Sequence, residues 1–425
     1  MKTQSLTLKN GLNVIFVDSD AFPSLTCLLL VGAGSRYENP KNNGIAHFFE
    51  HMAFKGSKNY PTTLDIASTV ESFGGAFNAF TSKDHTGYFI KGPSAHFKTI
   101  VDVIADMIQN SLIKTAEINR EKGVIVEEIN MYEDTPQRKV AELFEVLLYK
   151  NHPLGFDIAG TKRTVTSFTR KTFTDYIKQL YFPSNSVLVI AGGLKNIAEY
   201  KKIISEKFGG WKDGKAIKFE TIKEAQQKPE VLIQYKKTEQ AHFCLGWRTF
   251  PLFDKRRTTL SVLTAILGKG MSSKLFTNVR ERHGLCYYIY SYTDFYADAG
   301  NMVTHAGVTL DVDKVKKAIT LILKEHKSVT SGKVSKDELY RAKEILKGGL
   351  ILSLEDSLNQ ALFYGRQQLL EEKTESPEEI IKKIDAVSGD QVIDMARILF
   401  KNDNLNLTLI GPFEKKKEFE EVLTI

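Results

Sequence analysis

DYIKQLYFPSNSVLVIAG, residues 175–192, returns as DMARILFKNDNLNLTLIG, residues 394–411, with no gap in either passage. The leading aspartates, Leu180 and Leu399, Asn185 and Asn404, and the closing glycines coincide at a constant offset of 219. Recurrence over half the chain length marks two copies of one unit. Within the first copy, Asn185 to Gly193 is an unbroken apolar run that reads as a strand buried on both faces.

Between the copies, Trp211 to Pro229 (WKDGKAIKFETIKEAQQKP) is Lys-rich, poor in large apolar residues and closed by a proline, as an exposed connection should be. We therefore expect an N-terminal lobe over 1–212, a linker over 213–229 and a C-terminal lobe over 230–425. Toward the N-terminus, Gly11 to Val17 and Leu25 to Val31 read as strands joined by a turn around Asp18 to Pro23. A short helix enters after Asn43-Gly44, Leu64 to Phe73 is helical in period, and Ala76 to Phe80 with Thr86 to Ile90 forms a hairpin. Phe97 to Ser111 is an amphipathic helix, and a long helical region runs from about Thr115 into the 140s. Strands and helices mix without strict alternation, so the expected class is α+β. Each of two homologous lobes would carry a mixed, mainly antiparallel sheet with helices packed on it and a cleft between the lobes.

The bulk numbers exclude several classes. Among 425 residues, 42% are hydrophobic and 26% charged, the balance of a folded water-soluble protein. The formal charge of +7 is scattered in short lysine clusters such as Lys201-Lys202 and Lys415 to Lys417. Nucleic-acid binding would want a basic stripe with interleaved aromatics, so no nucleic acid is expected. Nowhere do about eighteen apolar residues run together, and no membrane partner is expected. The N-terminal stretch turns polar after Lys2, without the apolar core of an export signal. Cys27, Cys244 and Cys286 are far apart, odd in number and show no metal-site spacing, so reduced thiols and a cytoplasmic location are expected.

Residues 43–54, NGIAHFFEHMAF, carry the chemistry. His47 and His51 stand four apart and share one face of a helix, with Glu50 alongside, so two imidazoles can meet one cation while a carboxylate reaches its open position. His-x-x-acid-His should arise by chance only about 0.02 times in such a chain. A pair of core histidines is the plainer reading of either residue alone. Apolar flanks on both sides would bury two imidazoles and a carboxylate together, at considerable desolvation cost unless they share a cation. A catalytic zinc needs a third protein ligand and an open position. The helix Ile118 to Tyr132 offers Glu121 and Glu128, seven apart and interrupting an apolar stripe of Ile118, Ile125, Ile129 and Tyr132. Glu127 is turned about 100° away, which favours Glu128 as ligand without settling the choice.

His47-x-x-Glu50-His51 followed after 76 residues by Glu128 resembles the signature of the pitrilysin and mitochondrial-processing-peptidase family, across essentially the whole chain. Its length resembles the short forms, such as the processing peptidase beta subunit and its bacterial homologues. The resemblance implies one zinc ion per chain held by His47, His51 and Glu128, Glu121 orienting the site, and Glu50 as general base in peptide-bond hydrolysis. It also implies a clamshell half, with substrate entering a closed chamber. Phe77, Asn78 and Ala79, on an edge-strand pattern after Gly74-Gly75, match the family's strand that pairs with the peptide backbone. In the second copy the helix Thr258 to Leu267 lacks histidine and acid, so this lobe is expected to be metal-free. Arg280 and Tyr287 match the family's Arg/Tyr element, which binds and polarises the substrate carbonyl.

Some two-subunit relatives divide the zinc site and the Arg/Tyr pair between chains. Both elements stand in this chain, and a homodimer acting on peptides or unfolded polypeptide is expected. The family also contains non-catalytic structural subunits and leader-peptide processing enzymes. Intact His47, Glu50, His51 and Glu128 argue against the former.

Overall fold

The computed structural model describes residues 1–19, 22–223 and 226–425. The expected turn at Asp18 to Pro23 and the linker over 213–229 therefore lie partly outside the described residues. The described remainder of the linker has no regular structure and mostly exposed side chains, while Trp211 just before it is buried.

The chain forms two compact units, each drawing on both halves of the sequence. The first comprises Met1–Ile129, Phe156–Glu220 and Ser353–Glu375, and the second Asn130–Gly155, Thr221–Leu352 and Ser376–Ile425.

The first unit is built on six strands: β1 (Lys2–Thr7), β2 (Asn13–Asp18), β3 (Ser24–Val31), β4 (Ala76–Thr81), β5 (Thr86–Pro93) and β6 (Ser186–Gly192), in the order β1-β2-β6-β3-β5-β4. The strands expected at 11–17 and 25–31 form, but they are not neighbours. β6 lies between them, parallel to β2 and antiparallel to β3. Every residue of β6 is buried, so its apolar run belongs in the sheet's centre and pushes the two earlier strands apart. β1 was not anticipated. Its sequence, KTQSLT, is polar and exposed, an edge without an apolar face.

The second unit has β7 (Glu230–Tyr235), β8 (Gln240–Thr249), β9 (Cys286–Phe295), β10 (Gly300–Thr309) and β11 (Leu405–Gly411), in the order β7-β11-β8-β10-β9. This order is that of the first sheet without β1, and again one parallel pair, β11 with β7, sits among antiparallel ones. The repeat is structural down to element bounds. The helix Arg170–Leu180 leading into β6 and the helix Gly389–Leu399 leading into β11 obey the offset of 219 at both ends.

The long helical region from Thr115 is two helices, Thr115–Glu133 and Pro136–Leu148. Pro136 has no N–H to donate and is favoured at a helix's first position, so the chain must stop and restart there. The second helix leaves the first sheet. Its Val140, Phe144 and Leu148 pack with Cys244, Val303 and Ile410 in the second unit. The exchange is returned by Ser357–Glu371, whose Ala361 and Tyr364 pack on Leu28, Leu30, Val187 and Val189 of the first sheet. Gly365 lets that helix come close, since a Cβ there would meet Leu30 and Val189 side chains below 3 Å. Each sheet is thus covered by a helix from the other half of the sequence.

Candidate metal centre

The helix Ile45–Ala53 begins at Gly44, whose φ of 95° and lack of side chain leave the first turn without a cap of its own. Glu38 supplies one. Its buried carboxyl accepts from the Gly44 and Ala46 backbone N–H groups, both at 2.8 Å, and from Asn43 Nδ2 at 2.9 Å. Burial pushes the Glu38 carboxyl up to about 8, against the pull of those three donors. Phe48 and Phe49 anchor the opposite face of the helix, packing on Phe173 and Tyr181. His47 and His51 are thereby presented together, ring centroids 4.7 Å apart.

The helix Thr115–Glu133 brings the acids. Glu121 is 3% exposed, Glu128 is partly buried and Glu127 is exposed, a sequence of environments that follows the helical period. Among the described residues, His47, His51 and Glu128 form one group of three whose ligand atoms lie within 4.8 Å of one another. Glu128 Oε2 stands 3.6 Å from His47 Nε2 and 3.5 Å from His51 Nε2. Those distances are long for hydrogen bonds. They are close to the roughly 3.4 Å that neighbouring donors keep around a tetrahedral zinc with bonds near 2.1 Å. Two imidazole nitrogens and one carboxylate oxygen suit a borderline-soft divalent ion, so the residues present fit zinc.

Glu121 does not join that group. It accepts from Lys55 Nζ at 2.7 Å through Oε2 and meets His51 Nδ1 at 3.0 Å through Oε1, which turns Nε2 of His51 toward Glu128. Burial raises its carboxyl, but His51 and Lys55 together hold it below the ordinary carboxylate value. Burial pulls His51 down, yet Glu121 and Glu128 prevail and hold the imidazole at about 9. Glu50, on the same helix, accepts from Thr81 Oγ1 at 2.6 Å.

β4 is the edge of the first sheet, with Phe77 and Ala79 half-buried, Asn78 exposed and Phe77 packed on Phe54. In the second unit the helix Arg257–Gly268 follows β8 and precedes β9, as the His-bearing helix stands between β3 and β4, and it carries neither histidine nor acid. Arg280, on the helical turn Phe276–Arg282, has its guanidinium 5.9 Å from the Tyr287 ring, and Tyr287 is 75% exposed on β9. Lys55, Thr81 and Glu38 were not singled out in the sequence. Lys55 and Thr81 meet partners far along the chain, and Glu38 reaches its helix from outside any periodic spacing.

Comparison with known proteins gives the family. A model described as insulinase, peptidase family M16, matches residues 14–162, and one described as peptidase M16 inactive domain matches residues 167–346. An uncharacterized zinc protease of Bacillus subtilis is 36% identical over 407 residues, 96% of this chain and 97% of the relative. The chain belongs to peptidase family M16. An uncharacterized zinc protease of Streptomyces coelicolor is 32% identical, covering 97% of this chain and 90% of its own. The M16 fold is shared with the crystal structure of a protease from Helicobacter pylori, at a TM-score of 0.90 and 24% identity over 97% of this chain and 99% of that one. The short pitrilysin-type form read from the motif is thus shown, with its two homologous α+β units. No helix among the described residues is long and apolar enough to cross a membrane.

Proposed function

We propose that this M16 chain is a zinc-dependent endopeptidase that hydrolyses peptides or unfolded polypeptide segments in an enclosed chamber. The observation that supports it is the convergence of His47, His51 and Glu128 at zinc-like spacing, with the Glu50 carboxylate on the same helix. In this reading one zinc per chain is held by those three ligands, and Glu121 positions His51. Bound there, zinc supplies Lewis acidity to the scissile carbonyl and to the attacking water. Glu50 takes the proton from that water and returns it to the departing amine. Phe77, Asn78 and Ala79 hold the peptide as a strand added to β4, and Arg280 and Tyr287 bind the substrate carbonyl. The division of labour is zinc chemistry in the lobe 1–212 and a metal-free lobe over 230–425. The working form is a cytoplasmic homodimer.

The test measures zinc content and cleavage of a quenched, unstructured peptide for the wild type and Glu50→Gln. Removal of the base should leave about one zinc per chain and reduce kcat by roughly 100-fold or more. A wild type that binds no zinc, or a variant that cleaves equally well, overturns the mechanism. The first result would favour a non-catalytic structural subunit of the same fold. Strict cleavage of leader-bearing substrates, with no turnover of generic unfolded chains, would make it a processing peptidase instead.

A further inference from the structure

Thr81, the last residue of β4, donates its hydroxyl to Oε2 of Glu50 at 2.6 Å, within the range of a hydroxyl bound to an ionised carboxylate. A glutamate side chain has three rotatable torsions, and ordering it costs conformational entropy. One fixed oxygen removes that freedom from Glu50 and leaves the other to receive a proton. The donor comes from the strand that the proposed function assigns to the peptide, so the base and the peptide platform share a link.

Both ends of that link are braced by one segment, Gly34 to Glu38. Gly34 lies so close to the Ser82 and Lys83 carbonyls that no Cβ would fit. Ser35 N–H donates to Ser82 O at 3.2 Å and Arg36 N–H to Lys83 O at 3.1 Å, which pins the turn directly after Thr81. Arg36 Nη1 is paired with Asp84 Oδ1 at 2.8 Å in full burial. Two residues on, Glu38 caps the helix that carries Glu50. The brace therefore sets the separation of β4 from the base-bearing helix, and the Thr81 hydroxyl spans it.

We propose that Thr81 is a positioning residue for the base, tying the orientation of Glu50 to the strand along which the peptide docks. This rests on the endopeptidase reading. A hydroxyl serving packing alone would show in stability and not in turnover, and Thr81→Val keeps the shape while removing the donor. Its kcat should fall by roughly 10- to 100-fold, as expected for a misoriented catalytic group, with KM and zinc affinity within about twofold of wild type. Thr81→Ser, which restores the donor, should recover kcat to within about threefold of wild type. In zinc-free protein, Thr81→Val should lower the unfolding midpoint in the wild-type background and leave it unchanged in a Glu50→Ala background, the mark of a direct pair. Unchanged kcat in Thr81→Val, a serine variant as impaired as the valine one, or equal midpoint losses in both backgrounds overturns the proposal. A wild type without zinc or cleavage sinks the peptidase reading and the catalytic part with it, while the unfolding cycle then decides the tether alone.

Discussion

At the residue scale the site is a chain of charges: Lys55, Glu121, His51, then Glu128. Glu121 turns a flexible imidazole into a directed donor, so Glu121→Gln should weaken zinc binding by roughly 10- to 100-fold, the usual cost of losing an outer-shell partner. The same chain makes metal affinity depend on pH. Without metal His51 titrates at about 9, so below that pH a proton must leave before the ligand can bind. Apparent zinc affinity should therefore fall as pH drops, by up to about tenfold per unit from this group. Competition against a chelator at pH 6, 7 and 8 reads the slope, which should flatten in Glu121→Gln because the imidazole loses the partner that raises it. A flat wild-type profile would show that Glu121 and Glu128 do not hold His51 protonated in the metal-free protein.

At the element scale the decisive feature is how the His-bearing helix begins. Gly44 offers no side chain, and Glu38 closes the first turn from six to eight residues upstream. Its folded value of about 8 lies above the ordinary 4.5, so the fold favours the protonated carboxyl. That contribution is complete below about pH 4.5 and is lost as pH rises through 8. Thermal unfolding of zinc-free protein between pH 5 and 9 should show a midpoint that falls with pH, and Glu38→Gln should show a shallower fall. If both profiles run parallel, Glu38 is not the group responsible. Helix spacing made this region legible in the sequence, because residues four and seven apart must share a face. The cap was not, since nothing in the run from Gly34 to Glu38 announces which helix its carboxyl will reach. The break at Pro136 was legible in principle: a proline inside a helical period is a restart signal.

At the scale of the whole molecule the repeat was the most informative sequence feature. Matching the helix and strand around Asn185 to those around Asn404 picks out the same interior strand in each sheet. Two things escaped it. Adjacent runs in sequence, β2 and β3, are separated by a strand formed over 150 residues later, and strand order of that kind is decided by burial rather than by proximity. The exchange of covering helices also leaves no local trace, because Pro136–Leu148 and Ser357–Glu371 are ordinary amphipathic segments that would suit either sheet. Presence of both the zinc ligands and the Arg/Tyr pair in one chain leads us to expect a homodimer with two equivalent sites. Light scattering on the zinc-loaded protein should give twice the chain mass, and a fully active monomer would refute it.

The crossed helices carry a further consequence. Expressed separately, residues 1–212 and 230–425 would each lack the helix that covers their own sheet and would carry one meant for the other, leaving Leu30 and Val189 on one side and Cys244 and Ile410 on the other open to water. Neither half should fold by itself, whereas the two mixed together supply each sheet with its covering helix. That is the arrangement of a swapped dimer whose two copies have been joined end to end.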